Sequence, residues 1–205
     1  MGNLNILAAL AGALRRCRSL AGKGHAARPA PCTASRQHTH NCPGYPFAGP
    51  KFIFSHPAHF LSFGFGSGLS PVAPGTAGTL VAFPLYWLML QWLSGTAILL
   101  VILLMFTVGV WACQYTGQAL GVPDHGGIVW DEIVAFLLVL CVTPPTLAWF
   151  VAAFLLFRLF DIWKPFPIRQ FDERLKNGFG VMLDDLLAAL YAVIVLKGVL
   201  WMITH

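Results

Sequence analysis

Two pairs of adjacent acidic residues are the most chemically suggestive feature of the sequence. Asp131 and Glu132 precede one apolar run, Asp184 and Asp185 precede another, and Asp161 closes a third. Acidic residues also favour the first turn of a helix, where the helix dipole stabilises negative charge, so one such pair alone could be purely structural. Five carboxylates near lipid repel one another, and a divalent cation removes that cost. Oxygen ligands without His or Cys suit Mg²⁺, which also binds phosphate oxygens.

Basic residues lie close to the third of these acidic positions. Arg158, Asp161 and Lys164 stand three residues apart, so they share one face of a helix and could simply form ion pairs at an interface. Pro165 is predicted to end the helix directly after Lys164, which would hold the ammonium at the mouth of the acidic cluster. A guanidinium and an ammonium beside a carboxylate metal site suit a phosphate monoester. Arg169 is a further candidate for contact with a lipid headgroup.

A stretch rich in glycine and proline, GFGSGLSPVAPGTAG at 64–78, is predicted to be a loop. Backbone N–H groups of such a loop can bind an anion, so Ser67, Gly75 and Thr76 are candidate phosphate contacts. The sequence contains no thiolate phosphatase loop, no Asp-x-Asp and no Gly-x-Ser-x-Gly elbow. Attack on phosphorus by a metal-activated water, with a carboxylate as a possible base, is therefore the mechanism that the residues favour.

The composition indicates that these residues are positioned in a membrane. The chain has 205 residues, of which 57% are hydrophobic and 10% are charged, against roughly 25% charged in ordinary globular domains. No Lys or Arg occurs between Phe52 and Phe157. The composition argues against an ordinary soluble fold, and the length excludes a two-domain enzyme. The distribution of the net charge of +5 predicts a lipid partner rather than nucleic acid.

Apolar runs predict an all-α polytopic membrane protein. Residues 76–93 and 96–115 form one predicted hairpin of two spanning helices, and residues 186–203 form a C-terminal spanning helix. Between them, residues 133–142 and 147–160 flank two prolines and form a second hairpin. Its arms are too short to span, so it is either re-entrant or begins earlier, near Ile128, which would bring the first acidic pair inside the membrane boundary.

The number of predicted membrane crossings between the candidate residues predicts that they lie on one face of the membrane. The glycine-rich segment, both acidic pairs, Asp161 and Lys164 all lie on the side that carries every Lys and Arg except Lys197. The positive-inside rule makes this face cytoplasmic. Residues 1–51 contain seven cations and no acid, and we expect a disordered basic extension there, followed by a membrane-embedded domain over 52–205.

Four segments, in order, resemble the phosphatidylglycerophosphatase A family of bacterial membrane enzymes. They are GSGLSPVAPGTAGTL at 66–80, IVWDEIVAF at 128–136, FRLFDIWKPFPI at 157–168 and GFGVMLDDLLAAL at 178–190. The resemblance covers the chain from about His56 onward, although Ala135 stands where the family pattern has glycine. It implies a Mg²⁺-dependent phosphatase of phospholipid biosynthesis. This enzyme converts phosphatidylglycerophosphate into phosphatidylglycerol and phosphate at the cytoplasmic face of the inner membrane.

The resemblance also implies roles for single residues. The implied metal ligands are the five clustered acids, and the implied catalytic residues are Asp131, Glu132, Asp161 and Lys164. Phosphate and headgroup contacts are expected from Arg158, Lys164, Arg169, Ser67, Gly75 and Thr76. Two alternatives remain at this stage: another membrane enzyme acting on a lipid phosphate, and a small cation transporter with buried acids along its ion path.

Overall fold

A computed structural model describes residues 49–204, and all regular structure in that range is helical. The all-α prediction is confirmed, and the extension predicted over 1–51 lies almost entirely outside the described residues. The elements are α1 (Pro50–Ile53), α2 (Pro57–Ser62), a 3-10 segment (Gly64–Leu69), α3 (Pro74–Trp92), α4 (Gly95–Leu120), α5 (Trp130–Val142), α6 (Leu147–Trp163), α7 (Ile168–Arg174) and α8 (Gly178–Thr204).

Local capping groups explain several of the helix boundaries. The Nδ1 atom of His56 accepts a hydrogen bond from the Ala58 N–H at 3.1 Å at the start of α2, and Ser94 caps α4. Gly121 ends α4 with φ of 71°, the left-handed conformation that glycine adopts without steric cost. The two successive prolines at 144 and 145 separate α5 from α6, as predicted.

The glycine-rich segment is more helical than predicted. We expected a loop over residues 64–78, but a 3-10 segment covers Gly64–Leu69 and α3 already begins at Pro74. Proline fits the first position of a helix because its fixed φ suits the helix and its missing N–H has no partner there in any case. Gly75, Thr76 and Gly78 therefore lie in the first turns of α3, and only residues 70–73 connect the two elements.

The second acidic pair also lies deeper in its helix than predicted. Helix α8 begins at Gly178 rather than beside the acids, so Asp184 and Asp185 belong to its second turn. The side-chain oxygen of Asn177 accepts a hydrogen bond from the Gly180 N–H at 2.8 Å. Asn is a favourable capping residue, and this contact starts the helix ahead of the acids.

Two of the described helices are long and apolar enough to cross a membrane. By length and composition these are α4, with 26 residues, and α8, with 27 residues, which correspond to about 39–41 Å of helix. They contain two of the three predicted full spans. The third predicted span is α3, which is helical over 19 residues but contains Pro84 and does not pass the same test.

The short helix α5 occupies the centre of the bundle. Ten of its 13 residues are buried, and α3, α4 and α8 pack around it, while α6 packs mainly against α8. Helices α3 and α4 make few contacts with each other although only a two-residue turn joins them. At about 20 Å, α5 is shorter than a bilayer core of about 30 Å. Its polar backbone is covered by protein, so α5 has no need to span by itself.

Candidate active site

The site is formed where several helix ends meet. Gly75 at the start of α3 lies against Glu132 at the start of α5. Glu132 in turn lies beside Asp161, near the end of α6, and Asp185, in the second turn of α8. Four helices that are distant in sequence therefore contribute to one region. The sequence predicted that these residues lie on one face of the membrane.

Three carboxylates form the centre of this region. Glu132, Asp161 and Asp185 each place one oxygen so that all three lie within 4.8 Å of one another. All three residues are buried, with exposed fractions of 3%, 2% and 0%. Oxygen donors of this kind, gathered away from solvent, fit a hard divalent cation such as Mg²⁺. We call these three residues the acidic triad.

Arg158 lies directly against two members of the triad. Its Nη1 atom is 2.7 Å from Glu132 Oε2 and 2.7 Å from Asp161 Oδ2. The contact with Asp161 is the ion pair expected from the three-residue spacing, and the contact with Glu132 joins α6 to α5. Charge-assisted hydrogen bonds of this kind are stronger than neutral ones, so Arg158 stabilises the gathered negative charge and keeps a cation beside it.

Lys164 reaches a different acid. Its ammonium donates a hydrogen bond to Asp184 on α8. Helix α6 ends at Trp163, one residue earlier than predicted, and Lys164 follows in the left-handed conformation with φ of 45°. Residues other than glycine seldom adopt this conformation. The side chain is thus directed by a sharp change in the backbone and by an ion pair.

The two acidic pairs share a local arrangement. Asp131 Oδ1 accepts a hydrogen bond from the Glu132 N–H at 3.0 Å, and Asp184 Oδ1 accepts one from the Asp185 N–H at 3.0 Å. The first acid of each pair thus contacts the backbone of the second, and the second acid belongs to the triad. Asp131 and Asp184 are themselves buried, at 0% and 1% exposure.

Thr79 is a contact of the site that the candidate residues did not include. Its Oγ1 atom lies 2.9 Å from the Gly75 carbonyl oxygen and 3.2 Å from Glu132 Oε2. A Cβ atom at Gly75 would lie 2.1 Å from Glu132 Oε1, so glycine is required for this close approach. Thr79 follows Gly75 by four residues and hence shares its face of α3, which is the sequence signal that could have identified it.

The remaining candidates lie in less distinctive surroundings. The Ser67 hydroxyl donates a hydrogen bond to the Gly64 carbonyl oxygen at 2.9 Å, within its own 3-10 segment. Thr76 is half-buried in the first turn of α3, and Arg169 is exposed on α7. Their roles in binding phosphate or headgroup stay predictions.

Comparison with known proteins identifies the family. The phosphatidylglycerophosphatase A family profile matches residues 60–200. The chain belongs to this family. It is 50% identical over 155 residues to the phosphatidylglycerophosphatase A of Haemophilus influenzae, covering 75% of this chain and 95% of that protein. It is 42% identical over 159 residues to the phosphatidylglycerophosphatase A of Escherichia coli, covering 77% and 90% of the two chains. No solved structure matches.

Membership in the phosphatidylglycerophosphatase A family confirms the resemblance seen in the four sequence segments. The matched range begins after the basic extension and contains the acidic triad, both first acids of the pairs, Arg158 and Lys164. The site therefore lies within the part of the chain that the family shares.

Proposed function

We propose that the acidic triad is the magnesium centre of a phosphatidylglycerophosphatase and that the reaction takes place beside it. The chain hydrolyses phosphatidylglycerophosphate to phosphatidylglycerol and phosphate, the activity that its family membership gives it. The observation that supports the location is the approach of three buried carboxylates within 4.8 Å.

The charge around the triad supports a divalent ion there. Five carboxylates lie at this end of the bundle, and Arg158 and Lys164 contact three of them. When all five acids are ionised, they carry three more charges than these two cations. Glu132, Asp161 and Asp185 would hold the Mg²⁺, with Asp131 and Asp184 as the further predicted ligands. When bound, the ion supplies neutralisation of phosphate charge and activation of water.

Arg158 and Lys164 are suited to bind the terminal phosphate. The guanidinium already lies at 2.7 Å from two acids and has further N–H donors that can face a phosphate oxygen. In the reaction, a water oxygen forms a bond to phosphorus and the bond from phosphorus to the glycerol oxygen breaks. One of Asp131, Glu132 and Asp161 accepts the proton that the water loses and returns it to the leaving glycerol oxygen.

The apolar outer surface supports a site at the membrane face. On α4, Leu99, Leu100, Leu103 and Leu104 are exposed by 51–63%, which suits a helix that contacts lipid. We propose that α4 and α8 span the inner membrane, and that α3 and the α5–α6 pair complete the two-hairpin arrangement. The cations at and after the end of α6 support a cytoplasmic position for the site. Protease should therefore cut the segment 164–177 in inverted vesicles and spare it in vesicles of native orientation.

Removal of metal is the decisive test of the proposed centre. We expect purified protein in detergent to release phosphate from phosphatidylglycerophosphate, to lose this activity completely in excess EDTA, and to recover it when Mg²⁺ is added beyond the chelator. Three carboxylates this close together repel one another and the substrate phosphate, and a bound cation offsets both repulsions. Phosphate release that is unchanged in EDTA would show that the triad is structural.

A further inference from the structure

A chain of buried polar groups lies outside the acidic triad and is not used in the reaction described above. His59 on α2 is 5% exposed, and its Nδ1 atom is 3.0 Å from Thr116 Oγ1 on α4. Thr116 Oγ1 is 3.1 Å from Ser62 Oγ. Ser62 Oγ in turn is 2.8 Å from the Ala58 carbonyl oxygen. The chain joins α2 to the last turns of α4.

The direction of every hydrogen bond in this chain follows from the number of protons available. A carbonyl oxygen only accepts, so the single hydroxyl proton of Ser62 goes to Ala58. Thr116 must therefore donate to Ser62, which leaves the Thr116 oxygen as the acceptor for His59. Burial lowers the pKa of His59, and nearby His56 lowers it further, so the ring is neutral near pH 7 and has one N–H. That proton is on Nδ1.

The chain ends close to the first acidic pair. The carbonyl oxygen of Ser62 accepts a hydrogen bond from the Val129 N–H at 2.9 Å, and Val129 directly precedes α5. Val129 is fully buried. On its other sides Cβ atoms at Gly64 and Gly78 would lie 2.8 Å and 2.7 Å from its side chain. A residue enclosed in this way transmits a displacement of Ser62 to the start of α5 instead of absorbing it.

We propose that His59 is a positioning residue for the catalytic acids, which acts by donating its Nδ1 proton to Thr116. The donated hydrogen bond orients Thr116 and Ser62, and Ser62 in turn holds Val129. The first turn of α5 is thereby fixed so that Asp131 and Glu132 keep their positions relative to α6 and α8. This inference rests on the proposed function, since it assigns Glu132 to the reacting centre.

Two variants of His59 test the donor. Asn and Leu have nearly the same shape, but Asn carries an amide N–H in the place of Nδ1 and Leu carries none. Both lose the ring stacking with Phe52, whose centroid lies 4.2 Å away. We expect His59→Asn to keep a kcat close to that of the unmodified protein. We expect His59→Leu to lose about 10-fold to 100-fold in kcat, as outer hydrogen-bond partners of metal sites do, with little change in KM.

Two variants on α4 provide an independent test. Thr116→Val removes the acceptor and should reproduce the kcat loss of His59→Leu, and the double variant should be no worse than either single one. Thr107→Val is the matched control, because Thr107 lies on the same helix, is exposed, and donates only to its own helix at Leu104. It should leave kcat unchanged.

A binding measurement separates positioning from general stability. The rise in Tm that Mg²⁺ causes in detergent should be smaller in His59→Leu and Thr116→Val than in His59→Asn and Thr107→Val. Equal kcat in His59→Leu and the unmodified protein, or an equal loss in His59→Asn and His59→Leu, would overturn the inference. If His59→Leu does not fold, the comparison of Thr116→Val with Thr107→Val decides, with kcat and the Mg²⁺-dependent rise in Tm as the two measurements. An unmodified protein without Mg²⁺-dependent phosphatase activity would instead refute the proposed function.

Discussion

The acidic pairs of α5 and α8 have the same local geometry and different surroundings. In each pair the first aspartate accepts a hydrogen bond from the backbone of its neighbour, and the neighbour contributes to the triad. The pair on α5 lies in the first turn of a helix enclosed by protein, whereas the pair on α8 lies in the second turn of a helix long enough to span a membrane. The positions within the helices differ, but both pairs place their second acid at one centre.

The partners of the two pairs also differ. Glu132 on α5 is contacted by Arg158 and Thr79 and lies against Gly75. On α8, Lys164 contacts the first acid, Asp184. The guanidinium is therefore placed at the triad itself, while the ammonium is placed at its edge. From this difference we predict that Arg158 and Lys164 bind different parts of the substrate's phosphate group.

The largest effect should come from the second acid of each pair. Glu132→Gln and Asp185→Asn keep the shape of the side chain but remove a charge from the triad, so we expect each to lower kcat by ~10³-fold or more, which corresponds to several kcal/mol of lost stabilisation. Phosphate release at saturating substrate measures the loss. Circular dichroism in detergent should remain helical. Near-normal rates in both variants would remove the triad from the reaction.

The first acid of each pair should have a smaller effect. In Asp131→Asn and Asp184→Asn the amide oxygen can still accept the backbone hydrogen bond, so this contact is kept while the negative charge is lost. We expect about 10-fold to 100-fold lower kcat/KM. Asp184→Asn should act mainly on KM, because Lys164 loses its charged partner. First acids that prove as damaging as second acids would show that they hold the metal as directly as the triad does.

The positions of the helices could be predicted from the sequence more completely than the contacts at their ends. Prolines, glycines and apolar runs predicted the helices. The number of membrane crossings between the acids predicted that they lie on the same side. Which acid of a pair faces the centre depends on the rotation of α5 and α8 about their axes, which packing against α3, α4 and α6 determines. The contact of Thr79 with Glu132 depends on the same packing.

The start of α8 is a second feature that could not be predicted correctly from the sequence. An acidic pair before an apolar run resembles a helix N-terminus, because negative charge is favourable there. The true start lies six residues earlier, at Gly178, where Asn177 caps the helix. Gly178 also lies so close to α4 that a Cβ atom there would be 2.3 Å from the Val110 carbonyl oxygen. Glycine at position 178 is therefore explained by close packing against α4 and does not mark the end of a helix.

The smallest expected effect tests the surroundings of Glu132 without changing any charge. In Gly75→Ala the new Cβ would lie 2.1 Å from Glu132 Oε1, and the carboxylate is the part that can move, because it ends a flexible side chain. The fold should therefore tolerate the change, while the triad loses its alignment. We expect kcat to fall about 10-fold, since displacement of a reacting group by 1 Å can cost up to 10²-fold, with little change in Tm.

Gly198→Ala is the control, because no atom lies within 4 Å of a Cβ there and alanine favours the helix. An unchanged kcat in Gly75→Ala would mean that Glu132 can shift without consequence, so that the α5 pair, unlike the α8 pair, contributes charge to the site without a fixed position.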